Sequence, residues 1–166
     1  MTAEAQLATY FADLEPELAE FGKALRTKLR KRLPGLFEVV YLYERQGKLV
    51  IAYSPTANGY EALCSLALHA NSVQLFFAQG PQLTKVDPHK LLQGRGKMVR
   101  YVALPSLAAF DRPEVEALLA AAVSLAKLRL DPKAKGAVII KAEEQKRRAQ
   151  RADSKATPRQ ASARRP

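Results

Sequence analysis

Between Leu14 and Leu33, apolar residues recur every three or four positions, at Leu14, Leu18, Phe21, Leu25, Leu29 and Leu33, and directly after Pro34-Gly35 this period gives way to β-branched and aromatic runs. That switch constrains the fold more than any other feature, because a one-sided helical stripe needs a core to face and the segments that follow it are strand-forming. The helix starts near Pro16. Its first turn is acidic (Glu15, Glu17, Glu20) and its last is basic (Arg26, Lys28, Arg30, Lys31, Arg32), as the helix dipole favours. The Lys/Arg run therefore reads as a solvated helix end before it reads as an anion site. Upstream, Ala3 to Ala12 form a short helical lead-in with Leu7, Tyr10, Phe11 and Leu14 on one side.

Phe37 to Tyr43 and Lys48 to Tyr53 flank the polar turn Glu44-Arg45-Gln46-Gly47, a hairpin pattern. After the breakers of 54–59, Glu61 to His69 and Ser72 to Ala78 flank a turn at Ala70-Asn71, so four successive antiparallel strands are expected. Asp87-Pro88 predicts a short helical turn through Leu91 and Leu92, with Asp87 as N-cap, Pro88 at the first helical position and Gly94 as terminator. A fifth strand is expected over Met98 to Leu104. Asp111-Arg112-Pro113-Glu114 has capping-box spacing at the start of a last helix, whose buried side is Val115, Leu118, Leu119, Ala122 and Ala126 and which Asp131-Pro132 closes. Gly136 to Ile140 can add an edge strand.

The expected fold is α+β, a mainly antiparallel sheet of about five or six strands with N-terminal and C-terminal helices packed on it. Residues 1–14 are the lead-in, 15–142 the folded domain and 143–166 a basic tail. Beyond about Arg148 the chain is Lys, Arg, Ala, Ser, Gln and Pro without an apolar period, a composition expected to be disordered. With 166 residues, 48% of them hydrophobic, the chain can bury one core without a disulfide or structural metal. The single cysteine, Cys64, excludes an internal disulfide, and no cationic start followed by an apolar run marks a signal peptide, so a cytoplasmic location is expected. No apolar run approaches the roughly 20 residues that cross a bilayer, so no membrane partner is expected.

Charge is unevenly placed. Residues 132–166 hold 11 Lys/Arg against 3 Asp/Glu, a net of +8 out of +11 for the chain. Such a segment attracts polyanions, nucleic acid among them, through long-range and salt-sensitive forces. Its Lys146, Arg147, Arg148 and Arg151 are the candidate contacts.

Chemistry-bearing motifs are sparse. Two histidines, His69 and His89, and one cysteine are too few for a zinc site of the usual spacing, and no metal or cofactor is expected. Cys64 lies in an apolar run and reads as an inert buried thiol. The carboxylates are scattered, without the paired apolar setting of a hydrolase, so no catalytic residue is assigned. Tyr41, Tyr43, Tyr53, Phe76, Phe77 and Tyr101 fall on strands, where they can form a stacking platform for single-stranded nucleic acid. Basic residues do not alternate with them, and core or cross-strand packing is the simpler account. Gly94-Arg95-Gly96-Lys97 allows backbone N–H groups to line a concavity with two cations beside it. It is not a phosphate-binding P-loop, because Met98 follows where Ser or Thr and a helix are needed, and a turn into a strand is the plainer reading. Arg100 either lines a groove beside Lys97 or covers the sheet with its stem.

Val73-Gln74-Leu75-Phe76-Phe77, then Gly80, Leu83, Asp87-Pro88, Leu91-Leu92, Gly94, Gly96-Lys97, Val99-Arg100 and Leu104 resemble the central signature of YdhG-like bacterial domains of unknown function. Further pieces resemble one branch of that family: Glu38 and Tyr41, Ser54-Pro55-Thr56, Asp111 to Val115, and Val138 to Lys141 leading into Gln145-Lys146-Arg147-Arg148. The resemblance spans most of residues 15–148. It implies helices packed on a mainly antiparallel sheet, in the broad group that includes frataxin-like and YjbR-like domains. Two positions depart from the branch, Ala57-Asn58 where Glu and Arg tend to follow, and Ala103 where a basic residue is typical.

The expected function is a non-enzymatic binding module. Its candidate ligand-binding residues are Gly94, Gly96, Lys97 and Arg100, with Tyr41, Ser54 and Thr56 added from the resemblance, and its basic tail contacts polyanions. Iron handling of the frataxin type is an alternative by analogy alone, opposed by the basic end of the long helix. A small-molecule enzyme using Arg100, Lys97 and Tyr41 is the third reading.

Overall fold

In the computed structural model, which describes residues 1–141, the period switch at Pro34-Gly35 is a helix giving way to a sheet. Helices α1 (Ala3–Ala12) and α2 (Pro16–Arg32) precede strands β1 (Phe37–Tyr43), β2 (Lys48–Ser54), β3 (Cys64–His69) and β4 (Ser72–Phe77). A one-turn helix α3 (Gly80–Leu83), β5 (Arg100–Ala103), α4 (Leu107–Phe110), α5 (Pro113–Leu125) and β6 (Val138–Ile140) follow. The protein is α+β, with a six-stranded sheet in the order β5-β4-β3-β2-β1-β6. Neighbouring strands are antiparallel except β6, which runs parallel to β1 with Glu38, Val39 and Val40 opposite Val138, Ile139 and Ile140.

Strand alternation decides the layers. Leu49, Ile51 and Tyr53 of β2, Leu66 and Leu68 of β3, Leu75 and Phe77 of β4 and Val102 of β5 join one core with Leu25 and Leu29 of α2 and Leu118 and Leu119 of α5. Helix α1, set apart in sequence as a lead-in, belongs to the same core through Leu7 and Phe11, both fully buried. Each such side chain contributes about 1.5–3 kcal/mol by leaving water. Val39 and Ala52 point the other way and form a small separate cluster with Ala62, Phe37 and Tyr41, to which no helix contributes. The described helices thus lie on one face of the sheet.

Local structure departs from expectation at five places. No helix forms over Asp87 to Leu92; the helical turn comes earlier, at α3, where Pro81 sets the first turn and Leu83 anchors it in the core. Asp87 still accepts hydrogen bonds from the backbone N–H of Leu91 (2.8 Å) and Leu92 (2.9 Å), but Lys90 sits at φ +54°, which prevents helix, so Gly94 terminates a loop and not a helix. Asp111 does not cap the last helix. It ends α4, a short helix that Ser106 caps and that carries Phe110 inward, while Arg112 occupies the cap of α5 because Pro113 opens it. Helix α5 ends at Leu125, well before Asp131-Pro132, where Lys127 turns to φ +56°. Strands β3 and β5 are shorter than expected: a 3-10 turn over Gly59–Glu61 precedes β3, and Met98 and Val99 remain exposed before β5. The expected edge strand near Gly136 is β6. Lys146, Arg147, Arg148 and Arg151, and the boundary at 143, lie outside the described residues. None of the described helices is long and apolar enough to cross a membrane.

Candidate functional site

The sheet face opposite the described helices collects the residues that alternate away from the core. Tyr41 and Tyr43 of β1, Lys48 of β2, Ser65 of β3, Gln74 and Phe76 of β4 and Tyr101 of β5 are there, all half-buried. Phe76 and Tyr101 are direct cross-strand partners, with ring centroids 5.3 Å apart and planes tilted by 43°. Lys48 Nζ stands 5.9 Å from the Tyr43 ring centroid and 5.7 Å from that of Phe76, so one ammonium spans the face between β1 and β4. Burial, and then the nearby Tyr60 phenol, hold the Tyr43 hydroxyl above its ordinary pKa. Tyr60 itself is 78% exposed on the loop above β1. The strand aromatics therefore divide between two faces: Tyr53 and Phe77 enter the core, and Tyr41, Tyr43, Phe76 and Tyr101 do not.

The turn singled out in the sequence borders this row. Gln93 N–H donates to the Tyr101 carbonyl (2.7 Å) and Tyr101 N–H donates to that of Gln93 (3.0 Å), laying the loop along the β5 edge. Gly94 has φ +102°, a conformation side chains rarely adopt, and a Cβ there would stand 3.5 Å from the Tyr101 ring. Lys85, Lys90, Arg95 and Lys97 on this connection are exposed, and none has an ion-pair partner among the described residues. The connection's one carboxylate, Asp87, faces backbone N–H groups instead. The long helix is the opposite case. Arg26 and Arg30 meet Glu38 and Glu4, Lys28 meets Asp111, and Arg32 meets Glu116, so its basic end is largely paired.

The candidate residues fall into three places. Gly94, Gly96 and Lys97 share the turn, with Gly96 tight against the Val99 carbonyl. Arg100 lies on the helix side of β5 opposite Phe77, its stem against Gly80 and its Nε buried without a hydrogen-bond partner among the described residues. Tyr41, Ser54 and Thr56 are assembled at the far side of the sheet. The Ser54 hydroxyl donates to the Asn58 carbonyl (2.8 Å) and accepts from Thr56 N–H (3.2 Å). Thr56 Oγ1 accepts from Asn58 N–H (3.1 Å) and donates to Glu61, and the loop so tied presses Gly59 against the Tyr41 hydroxyl. Strands β2, β3 and β4 separate Tyr41 from Arg100, and the two side chains lie on opposite faces. Lys97, Arg100 and Tyr41 thus share no pocket.

The residues leave one polar cluster that their types alone did not reveal. Glu38 is 3% exposed, on the core side of β1. Its carboxylate accepts Arg26 Nε and Nη2, each at 2.9 Å, and the Tyr53 hydroxyl at 3.1 Å, with Arg30 Nε at 3.5 Å. Burial alone pushes the Arg26 pKa down, but hydrogen bonds and charge from Glu38 and Glu4 more than offset it and leave the guanidinium above its usual range. The readable signal was a carboxylate in an apolar strand facing two arginines four residues apart on α2. Both Glu38 oxygens are engaged by protein groups, and Arg26 also meets Glu4, which makes the cluster a clamp between α1, α2 and β1. Elsewhere, burial pushes the Cys64 thiol up to about 12, so it stays protonated. His89 lies 4.0 Å from Glu114, and among the described residues no group of three or more His, Cys, Asp or Glu is placed to hold a metal ion.

No family model, curated protein or solved structure matches the chain.

Proposed function

We propose that the protein is a binding module for polyanions such as nucleic acid, contacted through the loop 84–97 and the basic segment that continues from β6. The observation that carries this reading is the contrast between two sets of cations. On α2, Arg26, Lys28, Arg30 and Arg32 are paired with carboxylates of the body, whereas all four cations of the loop, Lys85, Lys90, Arg95 and Lys97, stand exposed without such partners among the described residues. Cations in that condition exchange small counterions for phosphates at little cost, which is the usual source of polyanion affinity. Beyond Lys141, whose N–H donates to the Val40 carbonyl (2.8 Å), the sequence adds 8 Lys/Arg against 3 Asp/Glu.

Titration of labelled oligonucleotides and heparin at several salt concentrations tests the proposal. Engagement of four or more phosphates gives a slope of log K against log salt steeper than about −3. Deleting 149–166 and, separately, the pair Arg95→Glu and Lys97→Glu each weaken binding. Undetectable binding at about 50 mM salt, or binding that salt leaves unchanged, rules the function out.

A further inference from the structure

The face opposite the described helices carries a feature that charge alone does not require, a row of aromatic rings with a lysine among them. We infer that this face is a docking surface for single-stranded nucleic acid, whose unpaired bases stack on Phe76, Tyr101 and Tyr43 while Lys48 and the 94–97 turn hold the phosphates. The inference rests on the polyanion reading and specifies its site.

Three observations favour that occupant. The rings do not serve the core: no described helix packs against them, and the small cluster of Val39, Ala52 and Ala62 forms without Tyr43, Phe76 or Tyr101. The cations are placed around the rings as a strand needs them. Lys48 Nζ lies within 6 Å of two ring centroids, and its flexible stem lets the ammonium turn from a ring to a phosphate. A Cβ on Gly94 would stand 3.5 Å from the Tyr101 ring, so the turn brings Arg95 and Lys97 to one end of the row. The dimensions also agree. The rings run diagonally across the sheet, since Phe76 and Tyr101 are in register with Val39 and not with Tyr43, and the face they cross is four strand spacings of about 4.8 Å wide, roughly 19 Å, room for several bases but too flat to reach those stacked inside a duplex. A face with an ammonium between two of its rings and further cations at the β5 edge is unlike the centre of a protein–protein interface, where charged residues are depleted.

The test uses the full-length chain and fluorescein-labelled dT10 and rU10, a duplex of the same length, and heparin. The single strands bind more tightly than the duplex. Phe76→Leu and Tyr101→Leu keep apolar bulk on the sheet but lose the ring face, and each weakens dT10 or rU10 binding about 5- to 150-fold while heparin binding stays within twofold. Circular dichroism and thermal unfolding confirm that these variants fold. Since the chain has 6 tyrosines and no tryptophan, tyrosine emission reports stacking directly and is quenched by the single strands but not by heparin. Equal or tighter binding of the duplex overturns the inference, as does oligonucleotide affinity that both Leu variants leave unchanged. So does a dimer in sedimentation that Phe76→Leu dissociates, since a second copy would then be the occupant. Those results leave the polyanion reading intact if heparin binds with a steep salt slope. Failure of heparin, duplex and single strands alike removes both.

Discussion

Replacing Glu38 with Ala removes the acceptor that ties three elements together. Arg26 on α2 is left with only the exposed Glu4 carboxylate (2.8 Å), and the Tyr53 hydroxyl, on a residue 1% exposed, is left with no partner in that cluster. Breaking a buried pair from one side costs about 3–5 kcal/mol, because the remaining charge stays desolvated. The Arg26 side chain is 15% exposed and keeps Glu4, which places the expected loss near the lower end, about 3 kcal/mol. In urea unfolding at neutral pH, an m-value of about 2 kcal/mol/M turns this into a fall in midpoint of about 1.5 M. Tyr53→Phe removes one hydrogen bond from a carboxylate that keeps both guanidinium bonds, so it costs about 1.5 kcal/mol. The double variant Arg26→Met with Glu38→Leu recovers most of the loss, since neither charge then has to be desolvated. A Glu38→Ala loss below about 1 kcal/mol, or additive losses at Arg26 and Glu38 in a double-mutant cycle, refutes the assignment of this cluster as a coupled clamp.

Two further outcomes follow, one from a close backbone approach and one from buried groups. A Cβ at Gly136 would stand 1.9 Å from the Leu36 carbonyl oxygen, a backbone atom that cannot yield, so Gly136→Ala costs about 1–3 kcal/mol and detaches β6 from β1, seen as faster amide exchange at Glu38, whose N–H donates to the Ala137 carbonyl (2.9 Å). Burial raises both the Cys64 thiol, from 9.0 to about 12, and the Tyr53 phenol, so the folded chain holds these protons more tightly than the unfolded one. Stability from this source is complete below about pH 9 and is lost as pH rises from there toward 12, and Cys64→Ala makes the decline shallower in urea midpoints measured from pH 7 to 11. An unchanged slope would contradict the buried assignment of the thiol.

How far the sequence could be read depended on the range of the forces involved. Helix α2 was legible because its stripe and dipole-matched ends are local, and β1 to β4 because turn residues and β-branched runs lie within one hairpin of each other. The misreadings arose where two local rules competed. Asp111 and Glu114 satisfy a capping-box spacing, but Pro113 fixes the start of α5 one residue later and Ser106 captures the preceding turn for α4. Asp87 and Pro88 satisfy a helix start, yet burial of Leu83 moves the helical turn upstream and Lys90 adopts a left-handed conformation. The candidate residues were legible as types, but Tyr41 and Arg100 looked combinable only because sequence carries no record of strand order.

Composition and period were enough to establish one α+β body, the basic character of residues 132–166 and the presence of aromatics on strands. Alternation along a strand says only that Phe76 and Phe77 face opposite ways; which of the two faces helices is settled by how α2 and α5 pack, through contacts between residues far apart in the chain. The same packing paired Glu38 with Arg26 and left the Tyr43, Phe76 and Tyr101 rings outside the core. Apolar burial is non-directional, so sequence states how much surface must be hidden, and only the tertiary arrangement decides which side of the sheet hides it.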